Sequence, residues 1–285
     1  MKYAYFPGCK VAHHLPQYGL SVESVCRALD IELVHIEFNC CGWPVRHESF
    51  EASIYSAARN LALAEDAGLS ILTPCKCCFG SLKHAVSRLA HGGRLAGGTA
   101  ELLDRDGLSL PDRPEVFHLL TVLAKHVGID TLRGRVSRPL AGLAVACHYG
   151  CHALRPGDVT GFDDPLAPTI FERVVAALGA EPVNWDLRLE CCGHPLRGRD
   201  DVISEALMRR KLEDAQTAGA QIVATACTYC QMQFDTERDR LDWRDPLRSA
   251  PPAVLISQLV GLALGLDSDC LGLGKNRIPF DFSGF

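Results

Sequence analysis

The chain carries CCGWPVR at residues 40–46 and a near copy, CCGHPLR, at residues 191–197. Each copy is preceded by a lone cysteine and followed by a CxxC element. The lone cysteine lies 31 residues before the first CCG and 40 before the second, and the CxxC begins 34 and 35 residues after the second CCG cysteine. Two halves of the chain therefore offer five thiols each in the order C…CCG…CxxC. The two sets are Cys9, Cys40, Cys41, Cys75 and Cys78, and Cys151, Cys191, Cys192, Cys227 and Cys230.

Composition and charge place the chain among ordinary globular proteins. It has 285 residues, 47% of them hydrophobic, and a formal charge of −5 without any Lys/Arg cluster, which argues against a nucleic-acid partner. The longest apolar tract, residues 253–266, is too short and too polar to cross a bilayer and predicts a buried helix. No secretory signal precedes Cys9, so we expect a cytoplasmic protein without a transmembrane segment. Fourteen cysteines in that compartment indicate metal binding or redox chemistry rather than disulfides.

Apolar periodicity predicts an α/β fold of two pseudo-symmetric CCG repeats, with parallel or mixed sheets flanked by helices. We divide the chain into residues 1–138 and 139–285, the second part including the C-terminal tail. Between the repeats we predict a loop and a short helix over residues 91–112, then a helix over 114–126. Further helices are predicted over residues 51–67 and 201–218, each ended by a glycine. Strands that end just before cysteines are predicted at residues 2–6, 31–38, 69–73, 140–146, 181–185 and 221–225. Ligand-binding loops usually follow the carboxyl ends of such strands.

Ligand number and spacing favour iron–sulfur clusters over other soft-metal sites. Thiolates select zinc, copper(I) or iron–sulfur centres, but five thiols exceed the four of a structural zinc site. The two adjacent CCG side chains diverge, so they reach two irons of a cluster more readily than one small ion. Zinc, and a redox dithiol at either CxxC, stay open as alternatives.

Four cysteines lie outside the repeated pattern. Cys26 and Cys270 are expected to be structural, because free cysteine often behaves as a small apolar residue. Cys147 aligns with Tyr5 and is not predicted to be a ligand. Cys77 has no equivalent in the second CxxC, so either Cys77 or Cys78 completes the first set.

The double cysteine pattern, the run HYGCH at residues 148–152 and the length resemble the B-type subunit of heterodisulfide reductase, including its relatives in bacterial sulfur-oxidising systems. The resemblance implies the catalytic subunit of an oxidoreductase complex in sulfur metabolism. It would reduce a disulfide, or in reverse oxidise thiol or persulfide sulfur. It would do so at two non-cubane [4Fe-4S] clusters, each held by one five-cysteine set. The implied partners are the ferredoxin-like C-type subunit and the flavoprotein A-type subunit of heterodisulfide reductase.

Differences between the repeats indicate where substrate chemistry takes place. Disulfide cleavage consumes two protons, and histidine is the side chain best suited to supply them near neutral pH. His152, which aligns with Lys10, and His194, which aligns with Trp43, are therefore candidate catalytic residues. More often such histidines only hydrogen-bond a sulfur or the backbone.

Two further interpretations compete with disulfide chemistry. The chain could be an electron-transfer CCG subunit of a quinone-linked dehydrogenase, or a scaffold with structural metal. Arg46 and Arg197 occur in both repeats and would offset the negative charge of thiolates, although a purely structural role stays open for both.

Overall fold

The computed structural model describes residues 1–112, 114–242 and 244–285. Each half of the chain forms one four-stranded sheet in which all strand pairs are parallel. The strands are β1 Lys2–Tyr5, β2 Glu32–His35, β3 Ile71–Thr73, β4 Val116–His118, β5 Ala144–Cys147, β6 Glu181–Val183, β7 Ile222–Thr225 and β8 Ala253–Leu255. The first sheet has the order β2-β1-β3-β4 and the second the order β6-β5-β7-β8. The predicted α/β class with two related halves is confirmed, whereas the boundary at residue 138 stays a prediction.

Helices cover the faces of both sheets, as parallel strands with crossover connections require. The two longest, α3 (Phe50–Asp66) and α10 (Asp201–Thr217), each follow a CCG motif. Each begins at an N-cap, Ser49 or Asp200, whose side chain accepts a backbone hydrogen bond. The helices are α1 Cys9–His14, α2 Pro16–Ala28, α3 Phe50–Asp66, α4 Lys76–Ala90, α5 Gly93–Arg105, α6 Leu119–Thr121, α7 Ile129–Gly134, α8 Gly157–Thr160, α9 Ile170–Ala177, α10 Asp201–Thr217, α11 Thr228–Gln231 and α12 Ile256–Ala263. Wider π-helical segments, Val122–Gly128 and Met232–Glu237, extend α6 and α11.

Three predicted segments differ from the structure. Residues 114–126 and 253–266 each begin with a strand, β4 or β8, before the helix starts. Both strands are short and largely buried, and periodicity alone does not separate such a run from a buried helix. The third segment, residues 91–112, contains the 13-residue helix α5 despite its glycines, because one face of it packs against α3 and α4.

The two halves share one core. Helix α12 of the second half packs on α2 of the first, where the Ser21 and Ser257 hydroxyl groups lie 2.6 Å apart in the buried contact. The C-terminal segment crosses back to the same helix, and the Ser24 hydroxyl donates to the carbonyl of Cys270 at 3.0 Å. Among the described residues, no helix combines the length and the apolar character needed to cross a bilayer.

The glycine of each CCG motif allows close contact between the motif and the helix that follows it. Gly42 and Gly193 have φ angles of 83° and 89°, in the left-handed region that disfavours a side chain. A Cβ on Gly42 would collide with the carbonyl oxygen of Ser53, and one on Gly193 would lie 2.5 Å from that of Ser204. Each contact is with rigid helix backbone, so neither can be relieved by a rotamer change.

We therefore expect Gly42→Ala and Gly193→Ala each to lower the free energy of unfolding by about 3 kcal/mol, from left-handed strain plus overpacking. Gly68→Ala and Gly219→Ala are matched controls, because these glycines follow α3 and α10 with φ of 66° and 80° and open space around them. Urea denaturation should show a loss of only about 1 kcal/mol for the controls. Equal losses at all four positions would contradict the packing argument.

Candidate metal centre

The cysteines lie where the strands of each sheet end. Cys9 follows β1 and opens α1, the adjacent pair Cys40–Cys41 follows β2, and Cys75 follows β3 as the N-cap of α4. In the second half Cys151 follows β5, the pair Cys191–Cys192 follows β6, and Cys227 caps α11 after β7. Because parallel strands end at the same edge of a sheet, each set of thiols gathers at one edge.

Within each set the thiols are close neighbours in the same order. In the first half Cys9 is next to Cys40, Cys40 to Cys41, Cys41 to Cys78, and Cys78 to Cys75. In the second half the order is Cys151, Cys191, Cys192, Cys230 and Cys227. The structure thus brings all ten predicted cysteines together, five and five. Cys78, not Cys77, occupies the position equivalent to Cys230.

Interactions between neighbouring thiols lower the pKa of two cysteines in the first set and of one cysteine in the second set. Interactions with Cys40 and Cys78 hold the pKa of Cys41 well below its usual value, and interactions with Cys227, Cys77 and Cys78 do the same for Cys75. In the second half the interaction with Cys151 lowers the pKa of Cys191. Each set therefore contains a sulfur that is ready to bind a metal as thiolate.

The two sets meet at their CxxC elements. The sulfur atoms of Cys75 and Cys227 lie 3.9 Å apart, and the Cys75 sulfur lies 3.1 Å from the hydroxyl of Thr228. The Cys77 sulfur lies 3.7 Å from that of Cys227, so Cys77 is placed between the sets rather than inside the first. The residue after the first cysteine of each CxxC thus reaches the opposite half: the Lys76 ammonium donates to the carbonyl of His148 at 2.9 Å.

His118 holds the two CxxC loops together. Its Nδ1 accepts from the backbone amide of Leu120, which leaves Nε2 as the donor. This Nε2 lies 3.0 Å from the carbonyl oxygens of both Pro74 and Ala226, the residues that precede Cys75 and Cys227. Burial lowers the pKa of His118 to about 3, so the ring is neutral. The sequence contained no signal for this residue, because it ends strand β4, which was predicted as helix.

The two candidate catalytic histidines have different surroundings. The Nδ1 of His152 lies 3.4 Å from the Cys77 sulfur and 3.6 Å from the Cys151 sulfur, and its ring meets that of Trp43 with centroids 3.9 Å apart. Burial, reinforced by Arg46, lowers the pKa of His152 to about 4, so it is neutral near pH 7.

His194 has its Nδ1 occupied by a polar partner. That atom lies 3.1 Å from the Oε1 of Gln233, and the Gln233 amide nitrogen in turn donates to the carbonyl of Ser204. The amide is therefore oriented so that His194 Nδ1 is the donor, and burial lowers the pKa of His194. Of the two histidines, His152 is the one in contact with thiols through its own ring nitrogen.

His148 is a further polar neighbour of the second set. Its Nε2 lies 3.2 Å from the Cys230 sulfur, and its Nδ1 is buried without a partner among the residues described. His148, Cys192 and Cys230 are close enough to one another to hold an ion, as are Cys75, Cys77 and Cys227. Burial holds the pKa of His148 well below its usual value.

Arg46 and Arg197 occupy equivalent positions in the two repeats but have different surroundings. The Arg46 guanidinium lies over the Trp43 ring at 3.2 Å and donates to the Trp43 carbonyl. Arg197 instead pairs with Glu237 at 2.9 Å and with Asp201 at 3.5 Å. Of these two arginines, only Arg46 lies at the contact between the two sets, beside the ring that His152 meets.

The donor sets and the backbone around them fit iron–sulfur clusters. Gly8 and Gly150 precede the lone cysteines with φ of 78° and 68°. A Cβ on Gly8 would lie 2.8 Å from the Cys78 sulfur, and one on Gly150 would lie 3.3 Å from His148 Nε2, so the sites require glycine. All five cysteines of the second set line one small cavity of about 20 Å³.

Known proteins share the two-half arrangement. A profile of the cysteine-rich CCG domain matches residues 3–83 and 145–235. The 8-methylmenaquinol:fumarate reductase membrane anchor subunit of Wolinella succinogenes is 35% identical over 280 residues, 97% of each chain. The B-type subunit of the ferredoxin/F420H2-dependent CoB-CoM heterodisulfide reductase of Methanosarcina acetivorans is 31% identical over 97% of this chain and 94% of its own.

Two further similarities agree with this. A protein of Archaeoglobus profundus that is named as like the B-type subunit of heterodisulfide reductase is 30% identical over 94% of this chain and 92% of its own. The crystal structure of a hypothetical protein from Helicobacter pylori superposes with a TM-score of 0.77 at 14% identity, covering 99% of this chain and 52% of that one, a likeness of fold alone. The chain belongs to the CCG family of cysteine-rich proteins that includes the B-type subunit of heterodisulfide reductase. The resemblance noted in the sequence is thereby confirmed.

If His118 joins the two halves, His118→Leu should lower the free energy of unfolding of the metal-free protein by about 2 kcal/mol, because the Ala226 carbonyl loses a buried donor. Leucine is the residue at the equivalent end of β8, Leu255, so its shape suits this position. His13→Leu, at an exposed histidine, is the control and should change stability by less than about 0.5 kcal/mol. Urea unfolding under reducing conditions measures both. An unchanged H118L variant would remove the assigned role.

Proposed function

We propose that this chain is the iron–sulfur subunit of a cytoplasmic oxidoreductase complex that makes or breaks a sulfur–sulfur bond between two non-cubane [4Fe-4S] clusters. The first cluster would be held by Cys9, Cys40, Cys41, Cys75 and Cys78, and the second by Cys151, Cys191, Cys192, Cys227 and Cys230. The observation that carries the proposal is the convergence of these thiols into two equivalent sets that touch through Cys75 and Cys227. Relatives named as parts of heterodisulfide reductase support a complex, and we extend the proposal to ferredoxin-like and flavoprotein partners.

The demands of the reaction match what the two sets offer. Splitting R–S–S–R′ into RSH and R′SH takes two electrons and two protons. When bound, a cluster supplies one-electron redox chemistry, and two clusters therefore match the electron count. The chain itself must supply the protons and exclude bulk water.

His152 would transfer one of those protons. Its Nδ1 is within 3.4 Å of the Cys77 sulfur and 3.6 Å of the Cys151 sulfur, at the contact between the halves. As a neutral ring it can pass a proton from one nitrogen while taking one at the other. His194 is the second candidate proton donor. It would act through Nε2, because its Nδ1 is directed at Gln233.

A second function is favoured by specific observations. The Wolinella relative is named as a subunit of a quinol:fumarate reductase, and side chains of Trp43, His152, Cys77 and Thr228 fill the contact between the two sets. A filled contact suits passage of electrons from one centre to the other without a substrate between them. The chain would then be an electron-transfer subunit of a quinone-linked dehydrogenase.

The cluster assignment predicts different results for two adjacent cysteines. After anaerobic purification we expect about eight irons and about eight acid-labile sulfides per chain. Cys78→Ser should lose about half of both, since Cys78 completes the first set, whereas Cys77→Ser should keep all of both. Iron loss from C77S with none from C78S would reverse the assignment, and zinc at one ion per set would remove the clusters.

Reoxidation of the reduced protein distinguishes disulfide cleavage from simple electron transfer. We expect anaerobic protein reduced by dithionite and freed of excess reductant to release two thiols per chain from 2-hydroxyethyl disulfide. His152→Phe should slow this release by about tenfold or more while taking up the same number of electrons, because a proton donor is lost. His13→Phe, a change at an exposed histidine, is the activity control. Reoxidation by menadione with no thiol released from the disulfide would instead support the electron-transfer subunit.

A further inference from the structure

The two cysteine sets have the same shape but different electrostatic surroundings. Lys76 and Lys211 are each only 2% exposed, and they are the buried lysines of the described residues. Lys76 lines the cavity of the second set, and the Lys211 ammonium contacts the segment that leads to the CCG of that set. The positions that correspond to them at the first set carry neutral side chains, Thr228 and Asn60.

Lys211 and Asn60 are equivalent in position but differ in charge. They occupy the same position in the equivalent 17-residue helices α10 and α3. The Lys211 ammonium donates to the carbonyl of Leu187, shortly before the second CCG, and lies 4.8 Å from the centre of the Trp185 ring. The Asn60 amide donates to the carbonyls of Asn39 and Cys40 at the first CCG, at 3.2 and 3.1 Å. Each side chain therefore contacts the segment that leads into a CCG motif, one with an ammonium and the other with a neutral amide.

Lys76 and Thr228 show the same contrast in the CxxC elements. Each follows the first cysteine of its motif and reaches across to the opposite set. Lys76 places its ammonium on the His148 carbonyl and beside the rings of Tyr149 and Phe171, at 5.3 and 4.8 Å, and it lines the space of the second set. Thr228 offers the Cys75 sulfur only a hydroxyl group at 3.1 Å.

The other charged groups near the two sets are exposed, partly exposed or paired. Glu190, next to Cys191, is exposed, so water and salt screen its charge. Lys10 and Arg46, near the first set, are partly exposed, so water and salt screen them more than a buried ammonium. Near the second set, Glu172 is paired with Arg188 at 2.5 Å.

Backbone carbonyl groups stabilise the charged form of both lysines. The Lys76 ammonium donates to the carbonyl of His148 at 2.9 Å, and the Lys211 ammonium donates to that of Leu187. Burial lowers the pKa of Lys211 to about 8, which is still above neutral pH.

A buried cation stabilises the more negative state of a neighbouring centre, which for a cluster is the reduced state. We propose that Lys76 and Lys211 give the second cysteine set the higher reduction potential, so that an electron entering the chain resides on the second centre. This inference rests on the proposed clusters. The two lysines would tune the reduction potential of the second centre, and electrons would pass from the first half of the chain to the second.

An anaerobic redox titration of the full chain, followed by electron paramagnetic resonance with dithionite as reductant, tests the proposal. The wild type should show two reduction waves. Lys211→Asn introduces the residue found at this position in the first half. It should lower the midpoint potential of the higher wave by about 59 mV, a tenfold change in the equilibrium constant for one electron, and leave that of the lower wave unchanged. Lys211→Arg keeps the charge and should leave both waves unchanged.

Lys76→Thr, which introduces the residue of the second CxxC, provides an independent variant with the same expected shift. Iron and sulfide counts accompany every titration. A wild type without iron would refute the proposed function itself. Full iron content with equal waves in the wild type, or with shifts confined to the lower wave in K211N and K76T, would overturn the inference while leaving the clusters intact.

Discussion

The structure gathers ten soft sulfur atoms in two sets, one at the edge of each parallel sheet, and the two sets meet through Cys75, Cys77 and Cys227. Thiols so close together cannot all ionise without a compensating cation, and their interactions already hold the pKa values of Cys41 and Cys75 low. These sulfurs are held in place by the N-termini of helices, by tight loops that contain glycine, and by the neutral ring of His118. The fold therefore gathers sulfur donors of the kind that bind soft metals.

Pseudo-symmetry explains both the likeness and the difference between the halves. The CCG glycines, the following helices and the thiol order are shared because each half solves the same packing problem. The side chains that cross to the opposite half are not shared: Lys76 brings a charge, and Thr228 a hydroxyl group. Function that requires two unequal centres can therefore arise on a duplicated frame by changing a few buried polar residues.

Much of the architecture could be predicted from the sequence, because spacing and periodicity report on local structure. The six strands that precede cysteines were found in this way, and α3 and α10 lie within a residue of their predicted bounds. β4 and β8 were missed because three-residue buried strands look like helix in an apolar run. Because β4 was not predicted, the role of His118 was not predicted either. That role depends on the carbonyls of Pro74 and Ala226, which are far apart in the chain.

The family, the two halves and the repeated cysteine pattern can be identified from the amino-acid sequence, because repeated spacing of a rare residue type carries that information without coordinates. The packing of the two sheets is needed to see that Cys78 has the position of Cys230, that Cys77 lies between the sets, and that His152 contacts thiols of both halves. The same packing brings Lys76 to the cavity of the second set. These facts depend on contacts between residues far apart in the chain, and such contacts exist only when the two sheets pack together.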